Sequence, residues 1–572
     1  MNAGLDPDFK SIVFSFEGRE IRCRPGLSIA AALTDAHELE LRNTLSGDNR
    51  GLFCGMGVCQ ECRVMVNGER GVRACMTTVT SGSTVLKEKY PVSTATDNTK
   101  VVKNDDLEIL SPEILVIGAG PAGLTAASIA AESGAEVVVL DERKSTGGQY
   151  YKQPMSVEGV PDSLAGDRQF SDGNALIERL KHSGATVESG SQVWGAFAPR
   201  EFSVFDGRCN RIYKPKCAIV ATGAYERALP MPGWTLPGVM TTGAAQTMLR
   251  SYGILPGNRI LVAGNGPFNF QVALELKLAG ADVVAVAELA EKPGASWASN
   301  GFRMALSAPD LAMNGIRYLL GLRKTGIPVL YGRGLVRMEK TSAGLRAFLG
   351  QAGNEGFTDE TFYDADIVCM GYGFQPNNEI LRSLGCRHIY DERRGHLVPK
   401  RDSNCETTVS GVYAAGDCSG LQGAPSALQD GIIASIAAIR RLGHPVSTQH
   451  EKEWKKAARE LGRQRIFQSA LWKVFSAPRF QTELARPDTV ICRCENVCLA
   501  DVDNAIADGA ESIGTIKRQT RLGMGACQGR YCAPVVAAQL AKRCDRPIDE
   551  YSQFAPRTPI KPVRIADILS TE

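Results

Sequence analysis

The 572-residue sequence predicts an α/β protein: two Rossmann-like dinucleotide-binding units, with a small β-rich module before them and a small helical module after them. Three observations predict it. Two glycine-rich fingerprints, GAGPAG at 118–123 and GNGPFN at 264–269, each follow an apolar strand and open a helix. Around them, β-branched runs such as EVVVLD, CAIVATG, RILVAGNG and DVVAVAE alternate with helical stretches, as a parallel sheet covered on both faces requires. Two cysteine quartets, Cys54, Cys59, Cys62, Cys75 and Cys492, Cys494, Cys527, Cys532, bracket this region.

Taken in order, the chain reads as seven stretches. Residues 1–90 begin with the strand-like SIVFSFEGREIRC, pass into the helical LSIAAALTDA, then carry the first cysteine loop and RVMVNGERGVRAC, which reads as a hairpin. Residues 91–112 belong to a polar stretch without periodicity and are assigned as a linker. The first dinucleotide unit is expected in two parts, 113–242 and 371–447, with the second unit, 243–370, between them. A helical connector, 448–485, precedes the C-terminal module, 486–572. The connector's EKEWKKAARELGRQRIFQSALW is read first as a solvated helix, with peripheral membrane or partner contact as the alternative.

Composition narrows the function. At 61.5 kDa the chain is too long for a single core and should hold roughly three or four domains. Lys and Arg number 65 against 62 Asp and Glu, so the net charge of +3 gives no footprint for nucleic acid, which is excluded as a main partner. The opening MNAGLDPDFKSIVFSF lacks the basic start and apolar core of a secretory signal, and the expected compartment is the cytoplasm. There, 17 cysteines read as ligands rather than disulfides. Those outside the quartets read as small buried apolar residues. The uncharged run Ile114 to Ala131 is explained better by strand, turn and helix than by a membrane span, because of its Gly, Pro and small residues.

In the first fingerprint Gly118 makes the tight turn, Gly120 lets backbone N–H groups approach a pyrophosphate, and Gly123 lets helix and strand pack closely. Asp141, at the end of VVVLD, can accept from ribose hydroxyls. The second fingerprint keeps Gly264 and Gly266 but has Asn269 in the third glycine's place, so helix and strand should pack more loosely there. Glu288 ends its following strand, which suits NAD better than NADP. The alternative is a nucleotide-shaped unit that turns over no nicotinamide. No closely spaced cysteine pair lies beside the first site, so disulfide reductases are excluded, and no convincing acid–base residue for substrate oxidation is visible.

The first quartet has C-x4-C-x2-C spacing, with Gly55 and Gly57 freeing backbone N–H groups to bond cluster sulfurs, and Arg50, Arg63 and Arg73 near enough to offset an anionic cluster. The second gives C-x-C and then C-x4-C, with Cys532 starting a helix whose N-terminus favours a thiolate and Cys498 as a spare ligand. Zinc is the alternative at both. A potential near about −400 mV, as in plant-type ferredoxins, would make either cluster a poor acceptor of electrons from an amine.

Four motifs carry a resemblance to the two-dinucleotide-domain flavoproteins: the first fingerprint, DERKSTGGQ (Gly148, Gln149), CAIVATGAYERALP (Thr222, Gly223) and GVYAAGDCSGLQGAPSALQDG (Gly416, Asp417). That resemblance implies FAD at the first site, with Asp417 meeting the ribityl chain. Residues 218–266 strongly resemble the α subunit of opine oxidases, hydrogen cyanide synthase, hydroxyproline and proline dehydrogenases and heteromeric sarcosine oxidase. The N-terminal module is similar to the small ferredoxin-like subunit of such dehydrogenases, and the C-terminal one resembles bacterioferritin-associated ferredoxin, a helical [2Fe-2S] holder. The chain thus looks like a fusion carrying FAD and two [2Fe-2S] clusters. The resemblance further implies a β subunit like D-amino acid oxidase that oxidises an amino acid, imino acid or opine, an FMN at the interface, and a respiratory electron acceptor. Two rivals stand beside it: an NAD(P)H:acceptor reductase, and an electron-carrying scaffold that is not itself an enzyme.

Overall fold

The computed structural model describes residues 11–88, 107–155, 164, 166–294, 297–353 and 356–569. In the N-terminal module five strands lie in the order Arg19–Cys23, Ile12–Phe16, Thr84–Lys87, Arg63–Val66 and Glu69–Arg73, with the helix Ile29–Asp35 against them. Ser28 caps that helix by accepting from the Ala31 N–H at 3.1 Å. The predicted hairpin turns on Asn67 and Gly68, both at positive φ, the chemistry that a tight two-residue turn selects.

A five-stranded parallel sheet, in the order Thr186–Ser189, Val137–Asp141, Ile114–Ile117, Cys217–Val220 and Val412–Ala414, builds the first dinucleotide unit. Its last strand comes from some 190 residues after its neighbour. The run Ile114 to Ala131 resolves into the strand Ile114–Ile117 and the helix Pro121–Glu132. That helix packs on the sheet beside the helix Ala424–Leu442, and a Cβ on Gly431 would come 2.4 Å from the Ala122 carbonyl oxygen, so the approach is close enough to demand glycine. The predicted linker lies outside the described residues up to 106. Its end is no tether, since Glu108–Leu110 pairs with Asn210–Tyr213 at the edge of a second, four-stranded sheet.

The second unit repeats the plan with Val239–Thr241, Ile367–Gly371, Arg259–Gly264, Asp282–Glu288 and Val329–Tyr331, all parallel. A three-stranded antiparallel meander, Arg333–Thr341, Gly344–Gly353 and Gly356–Ala365, follows it. The connector is the helix Thr448–Val474, whose His450, Ala457, Leu461, Phe467 and Val474 are buried against the body. The C-terminal module holds a short hairpin and the helices Leu499–Ala507, Ile513–Thr520 and Cys532–Cys544. Beyond them the chain runs back across the first unit, where the Ile560 N–H donates to the Trp194 carbonyl at 2.7 Å.

The modules do not fold as beads on a string. The N-terminal core is continuous with Met248, Tyr252 and Ile254 of the second unit, and a further core joins Phe53 and Cys54 to Trp234, Cys527 and Tyr531. No helix among the described residues is long and apolar enough to cross a membrane.

Candidate functional site

A cavity of about 610 Å³ opens where the N-terminal module, both dinucleotide units, the connector helix and the C-terminal module meet. Gly118, Gly120, Asp141, Gly148, Gln149, Thr222, Gly223, Gly416 and Asp417, all the predicted first-site residues but Gly123, lie on its wall. The fingerprint glycines divide their tasks. Gly118 has φ +107° and its Cβ would stand 2.4 Å from the Ala221 carbonyl oxygen, while a Cβ on Gly123 would stand 1.8 Å from the Gly118 oxygen. Both are therefore dictated by strand, turn and helix contact. Gly120 is different: no protein atom lies nearer than 3.8 Å to the place of its Cβ, so the space it leaves faces the cavity, at the first turn of a helix.

Two carboxylates are presented beside that space. Asp141 accepts from the Ala119 and Arg143 N–H groups at 2.6 and 2.7 Å, and burial pushes its carboxyl up. Asp417 accepts from the Gln422 and Gly423 N–H groups, both at 3.0 Å, and burial raises it likewise. These residues fit a dinucleotide: a helix N-terminus for the pyrophosphate, Asp141 for the ribose and Asp417 further along the cleft.

The same wall carries a pair that the sequence did not reveal. Lys152 is buried, donates to the Gln149 carbonyl at 2.7 Å and Gln246 Oε1 at 2.8 Å, and burial lowers its amine to about 7. Glu226 is buried to 3% exposure, accepts from the Gly243 N–H through one oxygen and leaves the other without a partner, and burial raises its carboxyl to about 7. These are two titratable side chains on the cavity wall that the sequence did not single out. Glu226 lies within CAIVATGAYERALP and Lys152 three residues past DERKSTGGQ, but only the fold turns a lysine and a glutamate 74 positions apart into one cavity.

The second fingerprint is built otherwise. Gly266 reaches the cavity wall; Gly264 and Glu288 do not. Glu288 is fully buried and its carboxylate is consumed internally, accepting from Asn265 Nδ2 at 2.8 Å and from the Gly266 and Ala290 N–H groups at 2.9 Å. Asn265 also donates to the Phe475 carbonyl, and the Phe475 ring packs on Phe270 and Trp297, so the end of the connector helix covers this corner. The expected looser packing at Asn269 is not found. Glycines 264 and 371 make room for its amide, which donates to the Gly371 carbonyl at 3.0 Å and accepts from Thr242 at 3.0 Å.

The first quartet is buried, and its thiols stand in twos: Cys54 with Cys59, and Cys62 with Cys75. Burial works against ionisation of Cys54, but the Cys59 thiol and the N–H groups of Met56, Cys59 and Val58 hold its thiol below the ordinary value. Gly55 and Gly57 are at positive φ, as the tight loop requires. Arg73 donates to the Gly57 carbonyl at 3.0 Å and Arg63 pairs with Glu88. The second quartet is also in twos, Cys494 with Cys527 and Cys492 with Cys532. Cys532 starts the helix Cys532–Cys544 as expected, while the spare Cys498 caps another helix, its N–H donating to Asp501. Among the described residues no three His, Cys, Asp or Glu side chains gather tightly enough to hold one metal ion. The quartets adjoin: Cys494 Sγ lies 4.0 Å from the Cys59 carbonyl oxygen, and Cys54 lines the dinucleotide cavity.

Residues 112–431, more than half of the chain, match the pyridine nucleotide-disulphide oxidoreductase family. The chain belongs to that family. Within this oxidoreductase family it groups with the A-type component of opine oxidase: the Agrobacterium tumefaciens (strain Ach5) protein is 33% identical over 479 residues, 80% of this chain and 91% of the relative. The HcnB component of hydrogen cyanide synthase from Pseudomonas aeruginosa is 30% identical over 462 residues, 78% of this chain and 96% of its own. The alpha component of sarcosine oxidase from Corynebacterium sp. (strain P-1) is 25% identical over 96% of this chain and 56% of its own length. Residues 10–89 match a 2Fe-2S iron-sulfur cluster binding domain, and residues 487–571 match the sarcosine oxidase A3 domain. A crystal structure of L-proline dehydrogenase from P. horikoshii shares the fold, with a TM-score of 0.70 over 98% of both chains at 20% identity. The resemblance read at 218–266 is borne out, and this family member is an oxidoreductase with a flavin-binding Rossmann-type domain and an N-terminal [2Fe-2S] domain. Cys54 is the one cysteine on the cavity wall among the described residues.

Proposed function

We propose that this chain is the FAD and iron-sulfur subunit of a heteromeric cytoplasmic dehydrogenase acting on the CH–NH group of an amino acid, imino acid or opine. Electrons would come from a β subunit like D-amino acid oxidase, with FMN at the interface, and leave for a respiratory acceptor. One observation carries the reading: the dinucleotide cradle, the first quartet and the second quartet are contiguous. Relatives named as subunits of opine oxidase, hydrogen cyanide synthase and sarcosine oxidase support it.

FAD held here would supply the exchange between two-electron and one-electron chemistry. Gly118 would hold the tight turn, Gly120 would leave room for the pyrophosphate at the helix N-terminus, Asp141 would orient the adenosine ribose, and Asp417 would face the ribityl chain. Lys152 and Glu226, both buried in the cavity wall, would hold or release a proton at Nζ and at the Glu226 oxygen that has no partner. Pairs of thiols suit two iron atoms bridged by sulfide better than one tetrahedral zinc, which needs four ligands around one point. The second unit is read as structural, because Glu288 is fully buried away from the cavity wall that Asp141 lines, under the end of the connector helix. That weighs against the NAD(P)H:acceptor reductase.

The test is to isolate the chain with its native partners, identify the co-purifying polypeptide, and assay dye reduction with D-hydroxyproline, proline, opines, glycine and sarcosine. Activity that needs the second polypeptide is expected. Full activity of this chain alone, or bleaching of its flavin by NADH within a turnover, would overturn the reading.

A further inference from the structure

Between the two cysteine quartets lies a buried charge cluster that the flavin cradle does not use. Glu61 stands in the first cysteine loop, between Cys59 and Cys62, and Arg493 stands in the second, between Cys492 and Cys494. Glu61 is fully buried, and Arg42, Arg50 and Arg493 are each at most 5% exposed. Arg42 Nη2 donates to Glu61 Oε1 at 2.9 Å, Arg493 Nη2 donates to Oε2 at 3.4 Å, and Arg50 Nε lies 3.9 Å from Oε2. The Arg493 guanidinium lies against the mutually perpendicular rings of Phe53 and Trp234, 4.0 and 4.7 Å from their centroids, and donates to the Trp234 carbonyl at 2.8 Å. Arg50 reaches the second loop as well, donating to Asn496 at 2.7 Å.

The charges do not balance. Arg50 and Arg493 both turn to the Glu61 carboxylate that Arg42 already holds, and the other acid beside Arg50, Asp48, is 3.8 Å away with its side chain 53% exposed. The Nε atoms of Arg50 and Arg493 are buried and make no hydrogen bond. A surplus of buried cations costs several kcal/mol per ion unless negative charge faces it. Two iron-sulfide clusters held by four thiolates each are anions, and each gains a further negative charge on reduction.

We propose that Glu61 and Arg493, with Arg42 and Arg50, form an electrostatic bridge that keeps the two cluster sites in electronic contact through Cys59 and Cys494 and sets the potentials of both. The inference rests on the reading that both quartets hold [2Fe-2S] clusters. Each crossing moves one electron and no proton: the first site is oxidised as the second is reduced. The guanidinium surplus favours the more negative, reduced state at either site.

The experiment is an anaerobic redox titration of the holoprotein followed by electron paramagnetic resonance, with iron and acid-labile sulfide counted per chain. In the reduced protein the two signals should show mutual spin coupling. Arg493→Met removes positive charge and should lower both potentials, shifting the reduced-to-oxidised ratio at fixed poise about tenfold, or about 59 mV. Glu61→Gln should raise both, and Arg493→Lys should stay near the parent. Should Arg493→Met fail to assemble, Arg50→Gln carries the same expected sign. A merely structural disturbance would not move the two variants in opposite directions. Shifts of one sign only, no shift, or uncoupled signals in protein holding both clusters would overturn the bridge. Material with iron and sulfide for fewer than two clusters removes the underlying reading, and the bridge with it.

Discussion

Lys152 and Glu226 respond to the same cavity in opposite senses, and that difference is measurable. The fold favours neutral Lys152, whose amine drops from 10.5 to about 7, so its contribution to stability is full above 10.5 and is lost as pH falls through about 7. It equally favours neutral Glu226, raised from 4.5 to about 7, whose contribution is full below 4.5 and is lost as pH rises through about 7. Thermal unfolding of the parent and of Glu226→Gln should therefore diverge between pH 4.5 and 7, on the order of 3 kcal/mol in total, then run parallel. Lys152→Met should diverge from the parent between about 7 and 10.5 instead. Identical pH profiles for parent and variants would show that neither group is buried as described.

Helix and strand contacts decide which fingerprint residues are negotiable. In the helix Pro121–Glu132, Gly123→Ala would drive a methyl onto the Gly118 carbonyl, and overpacking of this kind costs about 1–3 kcal/mol. Bound flavin, read from visible absorbance, should weaken by roughly tenfold or more, since about 1.4 kcal/mol is tenfold in affinity. The helix Pro267–Leu278 gives the converse case. Asn269→Gly would restore the glycine pattern yet strip the bonds to Gly371 and Thr242, lowering stability by about 1–3 kcal/mol. No NADH oxidation should appear, because Phe475 still covers Glu288. Both outcomes follow from one rule: a fingerprint position is set by what its Cβ would touch, not by the letter alone.

At the scale of the whole molecule, Glu142 ties three separate parts together. It pairs with Arg73 of the N-terminal module at 2.6 Å and with Lys561 of the returning C-terminal tail. Burial opposes ionisation, but Lys561 and Arg73 hold its carboxyl at about 2. Its contribution is full above 4.5 and is lost as pH falls through about 2. Glu142→Gln leaves two cations facing each other and should cost about 3–5 kcal/mol, read as earlier unfolding in denaturant at neutral pH, with the gap to the parent closing in acid.

Much of this arrangement was legible in the letters. The fingerprints, strand periodicity and cysteine spacing are local patterns: a tight turn, a pleat and a loop are each specified by a few consecutive residues, so the two parallel sheets, the Asn67–Gly68 hairpin and Gly118, Gly120 and Asp141 could be read in advance. What the letters could not supply is adjacency across hundreds of positions. That Glu61 meets Arg493, that Lys152 meets the cavity of Glu226, and that Phe475 closes the corner of Glu288 depend on how apolar faces of distant segments pack together. Buried charge takes its meaning from that packing, because desolvation and partner distance, neither of which is a property of a residue's immediate neighbours in the chain, determine whether a carboxylate binds, titrates or merely holds the fold.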